Sequence, residues 1–136
     1  MEIEPKILPL VDAINELSIV RTFSSCEAHY DEQDQEFMDR NKADVRFDPL
    51  PGVALEEIEV FITYLMTEFN NLHGFTPMTL TGYKLFMPND DYQPEFTFVI
   101  ELEPFDRFDT AKNKRKGTDK AIAQATEIVK KYKGRK

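Results

Sequence analysis

Apolar residues recur at three- and four-residue steps in three parts of the chain, the spacing that places them on one face of a helix. The first such stripe runs from Ile7 to Leu17. The pattern predicts amphipathic helices at about Pro5 to Leu17, at about Ala54 to Leu72, and from about Thr118, as N-cap, through Tyr132.

Four shorter segments have the composition or the two-residue alternation of β-strands. In the last of them, the apolar side chains of Phe96, Phe98, Ile100 and Leu102 share one face. The predicted strands are Ile19 to Ser25, Ala43 to Phe47, Met78 to Met87 and Glu95 to Glu103.

The predicted elements follow the order α-β-β-α-β-β-α. Two hairpins interleaved with helices favour an α+β fold, a two-layer sandwich in which helices cover one face of a mostly antiparallel four-stranded sheet. The chain of 136 residues has the usual size of a single domain, and we expect residues 1–136 to form one.

Two polar segments separate these elements. Residues 27–42 have mixed charges and no apolar period, which indicates a loop or a mobile flap. Phe105 to Gly117 contains a basic run and is predicted to be a loop that precedes the third helix.

Charge divides the chain into an acidic body and a basic C-terminal segment. Residues 1–111 hold 7 Lys or Arg against 23 Asp or Glu, whereas residues 112–136 hold 10 against 2, within a net charge of −8. An acidic body repels phosphate backbones. Nucleic acid would therefore bind through the basic segment or through a local pocket that the net charge does not reveal, and the acidic body would suit a basic protein partner or mimic phosphate.

The cysteine count and the hydropathy of the chain indicate the cellular compartment of the protein. The single Cys26 cannot form an internal disulfide, and the acidic N-terminal residues are unlike a signal peptide. No apolar run approaches the roughly 20 residues of a membrane span. We expect a cytoplasmic protein that does not enter membranes.

The segment from Ser24 to His29 is the most suggestive place for chemistry, and Ser24, Ser25, Cys26 and His29 form a candidate pocket at a strand end. His29 lies three residues from Cys26 and could activate its thiol as a nucleophile. Acidic neighbours such as Glu27 and Asp31 would instead raise the pKa of the thiol. The alternative is a buried, inert Cys26 with His29 on the surface.

The residue pattern gives little support for metal binding or nucleotide hydrolysis. The chain has one Cys and two His, fewer than the four ligands of a structural zinc site, so no metal is expected. Acidic groups lack the spacing of a calcium loop, and no GxGxxG, P-loop, HExxH or GxSxG motif occurs. Nucleotide hydrolysis is therefore not expected.

The basic segment offers a candidate anion-binding site at Lys112, Lys114, Arg115 and Lys116, with Tyr132 available to stack a base. The alternative is that lysines near the C-terminal end complement the dipole of their own helix. In that case the segment pairs with the acidic body of the same or a neighbouring molecule.

Residues 10–29 carry a resemblance to a known family. Leu10-Val11-Asp12-Ala13-Ile14-Asn15, followed by Val20-Arg21-Thr22-Phe23-Ser24-Ser25-Cys26, resembles the opening of the wybutosine-synthesis methyltransferase family. The resemblance implies tRNA modification with S-adenosylmethionine as cofactor. That family continues with a small residue, Gly and Arg, where this chain has Glu27, Ala28 and His29. The chain is also similar to small uncharacterised bacterial proteins with a Ser-Cys-x-Gly-His turn, with Ala28 in place of the Gly.

Besides the acidic body as a partner for a basic protein or a phosphate mimic, two functions are consistent with these observations. The first is a non-enzymatic binding or protein-interaction module without a cofactor, whose partner is another protein or a second copy of the chain. The second is an enzyme that modifies RNA or a nucleoside, with the Ser24 to His29 turn at its pocket, S-adenosylmethionine as cofactor and the basic segment holding phosphates.

Overall fold

The structure is a computed structural model that describes residues 3–30, 42–72, 78–106 and 108–132. Within these ranges it has three helices and four strands, which confirms the predicted α+β class and element order. They are α1 (Leu8–Glu16), β1 (Val20–Cys26), β2 (Ala43–Pro49), α2 (Leu55–Asn70), β3 (Met78–Phe86), β4 (Phe96–Pro104) and α3 (Ala111–Lys131).

The four strands form one antiparallel sheet in the order β1-β2-β4-β3. Each hairpin therefore contributes one edge strand and one central strand, and β2 pairs with β4 in the middle. The β1–β2 register shifts between Thr22 and Ser24, which leaves Phe23 in a bulge on the edge strand.

One face of the sheet and the three helices enclose a single apolar core. Phe47 on β2 and Phe98 on β4 stack with ring centroids 6.2 Å apart, and Phe61 of α2 packs on Phe47. α3 contacts α1, α2 and β4, so it lies in the middle of the helical layer.

The predicted loop at Phe105 to Gly117 is wrong from Ala111 onward, because α3 begins there. The Thr110 hydroxyl caps the helix by accepting the Asn113 N–H at 3.1 Å, so Thr110 is the N-cap instead of Thr118. Lys114 and Thr118 are buried one turn apart on the inward face, in line with Ala121. Polar residues on the buried face concealed the helical period.

The remaining boundaries differ from the predicted ones by a few residues. α1 starts at Leu8 instead of Pro5, and α2 ends at Asn70 instead of Leu72. Most of the predicted flap, residues 31–41, lies outside the described residues. In the described ranges, none of the helices has the length and apolar character needed to cross a bilayer.

Candidate functional site

Three of the four predicted pocket residues lie at the C-terminal end of β1. Ser24 pairs with Arg46, Ser25 with Val45 and Cys26 with Asp44 of β2, and all three are partly buried. His29 follows in the exposed turn, three residues beyond the thiol.

The turn after β1 is fixed by the start of α3. Ala28 is buried with a φ of 70°, in the left-handed region that a side chain disfavours. The Arg115 guanidinium donates to the Ala28 carbonyl oxygen at 2.8 Å and to the Glu27 carbonyl oxygen at 2.7 Å. Charge-assisted hydrogen bonds of this kind hold the turn against the helix.

A second set of contacts ties the same turn to the N-terminal segment. The Glu27 N–H donates to Oε1 of Glu4 at 3.0 Å, and the Lys6 N–H donates to Oε1 of Glu27 at 3.0 Å. Glu4 was not predicted as a site residue. It lies 22 residues before Cys26 in a segment with no motif, so only the folded chain brings it to the turn.

Glu4, Cys26 and His29 form a compact cluster of potential metal ligands. Oε2 of Glu4 lies 3.2 Å from Nε2 of His29, and the ligand atoms of all three residues lie within 4.8 Å of one another. A carboxylate, a thiol and an imidazole therefore meet at the end of β1.

Burial and negative neighbours keep the Cys26 thiol protonated. Burial is the main cause that raises its pKa, a hydrogen bond from the Ala28 backbone opposes it, and the charges of Glu4 and Asp44 raise it further. The direction agrees with the predicted one, and among the described residues Glu4 and Asp44 supply the charge, while Asp31 lies outside them. A thiolate nucleophile is disfavoured in this arrangement.

The four candidate anion-binding residues do not share one exposed surface. Lys112 and Lys116 are exposed, whereas Lys114 is only 2% exposed on the inward face of α3. Arg115 holds the turn after β1 and forms an ion pair with Asp119 at 2.7 Å. Two of the four side chains, those of Lys114 and Arg115, are therefore engaged within the molecule.

Side chains at the C-terminal end of α3 also interact within the molecule. Lys130 and Lys131 lie in its last turn, where they complement the negative end of the helix dipole. The ring of Tyr132 packs against Phe61 and Tyr64, with centroids 5.3 Å and 4.9 Å away. Stacking on a base would require this ring to leave its aromatic neighbours.

An open groove of about 980 Å³ lies at the opposite end of the sheet from Cys26. The start of β1, the end of β2 and the link between β3 and β4 form its walls. Apolar side chains dominate its lining, among them those of Phe23, Leu50, Leu55, Met87 and Phe96. Sequence reasoning missed the groove because its lining comes from separate segments, none of which has a motif.

No protein-family model, curated protein or solved structure matches the chain. Function is therefore inferred from the geometry and chemistry of its side chains.

Proposed function

We propose that the protein is a non-enzymatic binding module whose groove takes an apolar segment of a protein partner. The observation that carries this proposal is the concentration of exposed apolar side chains at one end of the sheet. Phe23 is 48% exposed and Met87 42% exposed, and both line the groove. Phe86, 76% exposed, adjoins Met87 in the chain.

Exposed aromatic side chains grouped around a concave surface are typical of interaction sites. When a partner covers such a side chain, little favourable hydration is lost and apolar contact is gained. Phe23 lies in the bulge of the edge strand β1, and a bulge takes a side chain out of the regular alternation of the strand, here into the lining of the groove.

Charge around the groove indicates the partner's chemistry. Asp48 and Glu95 line it, and Asp90 and Asp91 lie in the adjoining link between β3 and β4. Arg21 is the one basic group that the described residues contribute to the lining, and it lies opposite Asp48 in the β1–β2 register. A segment with apolar side chains flanked by Lys or Arg complements this surface.

Selection from a phage-displayed library of short linear peptides tests the proposal, followed by fluorescence-anisotropy titration of the enriched peptides. We expect apolar peptides with basic flanks, and weaker binding at higher salt. Phe23→Ser and Met87→Ser should each weaken binding about tenfold or more, as expected for central contact residues.

Phe108→Ser is the matched control, because Phe108 is 91% exposed and lies outside the groove lining. Equal affinity of the wild type and the Phe23→Ser and Met87→Ser variants would contradict the proposal. A dimer in sedimentation velocity that Phe23→Ser dissociates would identify a second copy of the chain as the occupant instead.

The alternative function, an enzyme that modifies RNA or a nucleoside at the Ser24 to His29 turn, has less support. The protonated thiol of Cys26 and the internal contacts of Lys114 and Arg115 weigh against it. Thermal-shift measurements with S-adenosylmethionine and bulk tRNA test it, since a ligand at 100 times its dissociation constant stabilises by about 2.7 kcal/mol. An unchanged melting temperature with both ligands removes this alternative.

A further inference from the structure

The cluster at the end of β1 has the donor set of a transition-metal site. Its three side chains offer a carboxylate oxygen, a sulfur and an imidazole nitrogen, all within 4.8 Å of one another. Hard cations such as Mg²⁺ prefer oxygen ligands alone, whereas sulfur and imidazole together favour zinc.

The observed distances are close to those of a metal complex. Two nitrogen or oxygen ligands on a tetrahedral zinc ion lie about 3.3 Å apart, and a sulfur lies about 3.6 Å from either of them. Oε2 of Glu4 and Nε2 of His29 are 3.2 Å apart. The other separations among the three ligand atoms are at most 4.8 Å, so zinc binding requires these atoms to draw together by about 1 Å at most.

The backbone around the cluster is already held in place. Glu4 uses Oε1 to accept the Glu27 N–H, which leaves Oε2 for a cation. Arg115 fixes the two carbonyl oxygens of Glu27 and Ala28, between the two ligands of the turn. The cost of ordering the ligands is therefore met largely by the fold.

We propose that Glu4, Cys26 and His29 bind one zinc ion, with a water molecule in the fourth position. The Cys26 thiolate and the Glu4 carboxylate balance the charge of the ion, and the thiol proton passes to solvent on binding. Asp44, which pairs with Cys26 across the β1–β2 ladder, adds negative charge beside the site. The ion would join the N-terminal segment to the end of β1.

Cobalt substitution of the untagged full-length chain tests this site directly. We expect one equivalent of Co²⁺ to give the intense thiolate-to-cobalt charge-transfer band together with the visible bands of tetrahedral coordination. Zinc affinity is then measured by competition with a chromophoric chelator. Cys26→Ser should abolish the charge-transfer band, and His29→Ala and Glu4→Gln should weaken zinc binding about tenfold or more.

Two variants serve as matched controls. Asp12→Asn removes a carboxylate at an exposed position of α1 outside the cluster, and His73→Ala removes the other histidine of the chain. Both should bind zinc as the wild type does, and circular dichroism checks that every variant is folded. A wild-type cobalt spectrum without the charge-transfer band would overturn the proposal, as would unchanged zinc affinity in Cys26→Ser and His29→Ala.

Discussion

Arg115 donates through Nη1 to the carbonyl oxygen of Ala28 at 2.8 Å, although 87 residues separate them in the chain. Its second terminal nitrogen donates to the Glu27 carbonyl oxygen, so one guanidinium satisfies two consecutive backbone acceptors. The planar fork of an arginine matches this pair, whereas a lysine ammonium is a single point. The first turns of α3 thereby fix the turn that carries His29.

Replacement of Arg115 should show how much this contact contributes to the free energy of unfolding. Arg115→Lys keeps the charge but loses the paired hydrogen bonds, and we expect it to lower the free energy of unfolding by about 1.5–3 kcal/mol. Urea denaturation at neutral pH measures the difference. Lys112→Met, at an exposed position on the same helix, should stay within about 0.5 kcal/mol of wild type. A similar small effect of Arg115→Lys would show that the turn is held by other contacts.

Replacement of Ala28 by glycine should destabilise the protein less than the same change at Ala43. Ala28 and Ala43 are each 1% exposed, but only Ala28 has a positive φ, and the left-handed conformation costs a non-glycine residue about 1–2 kcal/mol. Ala28→Gly removes that strain, so Ala43→Gly should be the more destabilising variant by about that amount. Parallel denaturation of the two variants makes the comparison, and equal losses would mean that the turn is not strained.

Gly82 of β3 packs beside Ile62 of α2. A Cβ atom at this position would clash with Cγ2 of Ile62, so Gly82→Ala must push the helix or displace the Ile62 side chain. We expect a loss of about 1–3 kcal/mol. Ile62→Ala removes the clashing methyl group, so the double variant should lose less than the sum of the single ones. Additive losses in this double-mutant cycle would contradict the proposed clash.

The fold was predictable where apolar residues face inward, as along α1, α2 and β4. It was not predictable at the start of α3. Lys114 and Thr118 are buried there, whereas the helical pattern is recognised by apolar residues on the buried face. The Ser24 to His29 turn could be identified from its residue types. Glu4 could not, since its distance from His29 exists only after the N-terminal segment and β1 have packed together.

The N-terminal end of α3 should respond to pH through Asp109. Hydrogen bonds from the Asn113 side chain and the Thr110 backbone lower the pKa of Asp109 below its usual value. A lowered pKa in the folded state stabilises the protein above the unfolded pKa of 3.8, and this contribution is lost as the pH falls through the folded value.

Asp109→Asn should therefore lower the melting temperature at neutral pH, with a difference from wild type that disappears in strong acid. Thr110→Ala is the control, because its hydroxyl does not titrate and its loss costs about 1 kcal/mol at either pH. Melting curves across the acidic range separate the two behaviours. A constant difference for Asp109→Asn would contradict the assigned cause.

The two αββ halves of the molecule meet where β2 pairs with β4. Ala43 to Phe47 run antiparallel to Leu102 to Phe98, so the topology has a two-fold relation about the centre of the sheet. α3 contacts α1 of the first half and α2 of the second, so the helical layer closes over the same line as the β2–β4 pairing. The two halves can therefore part only if α3 also releases one of them.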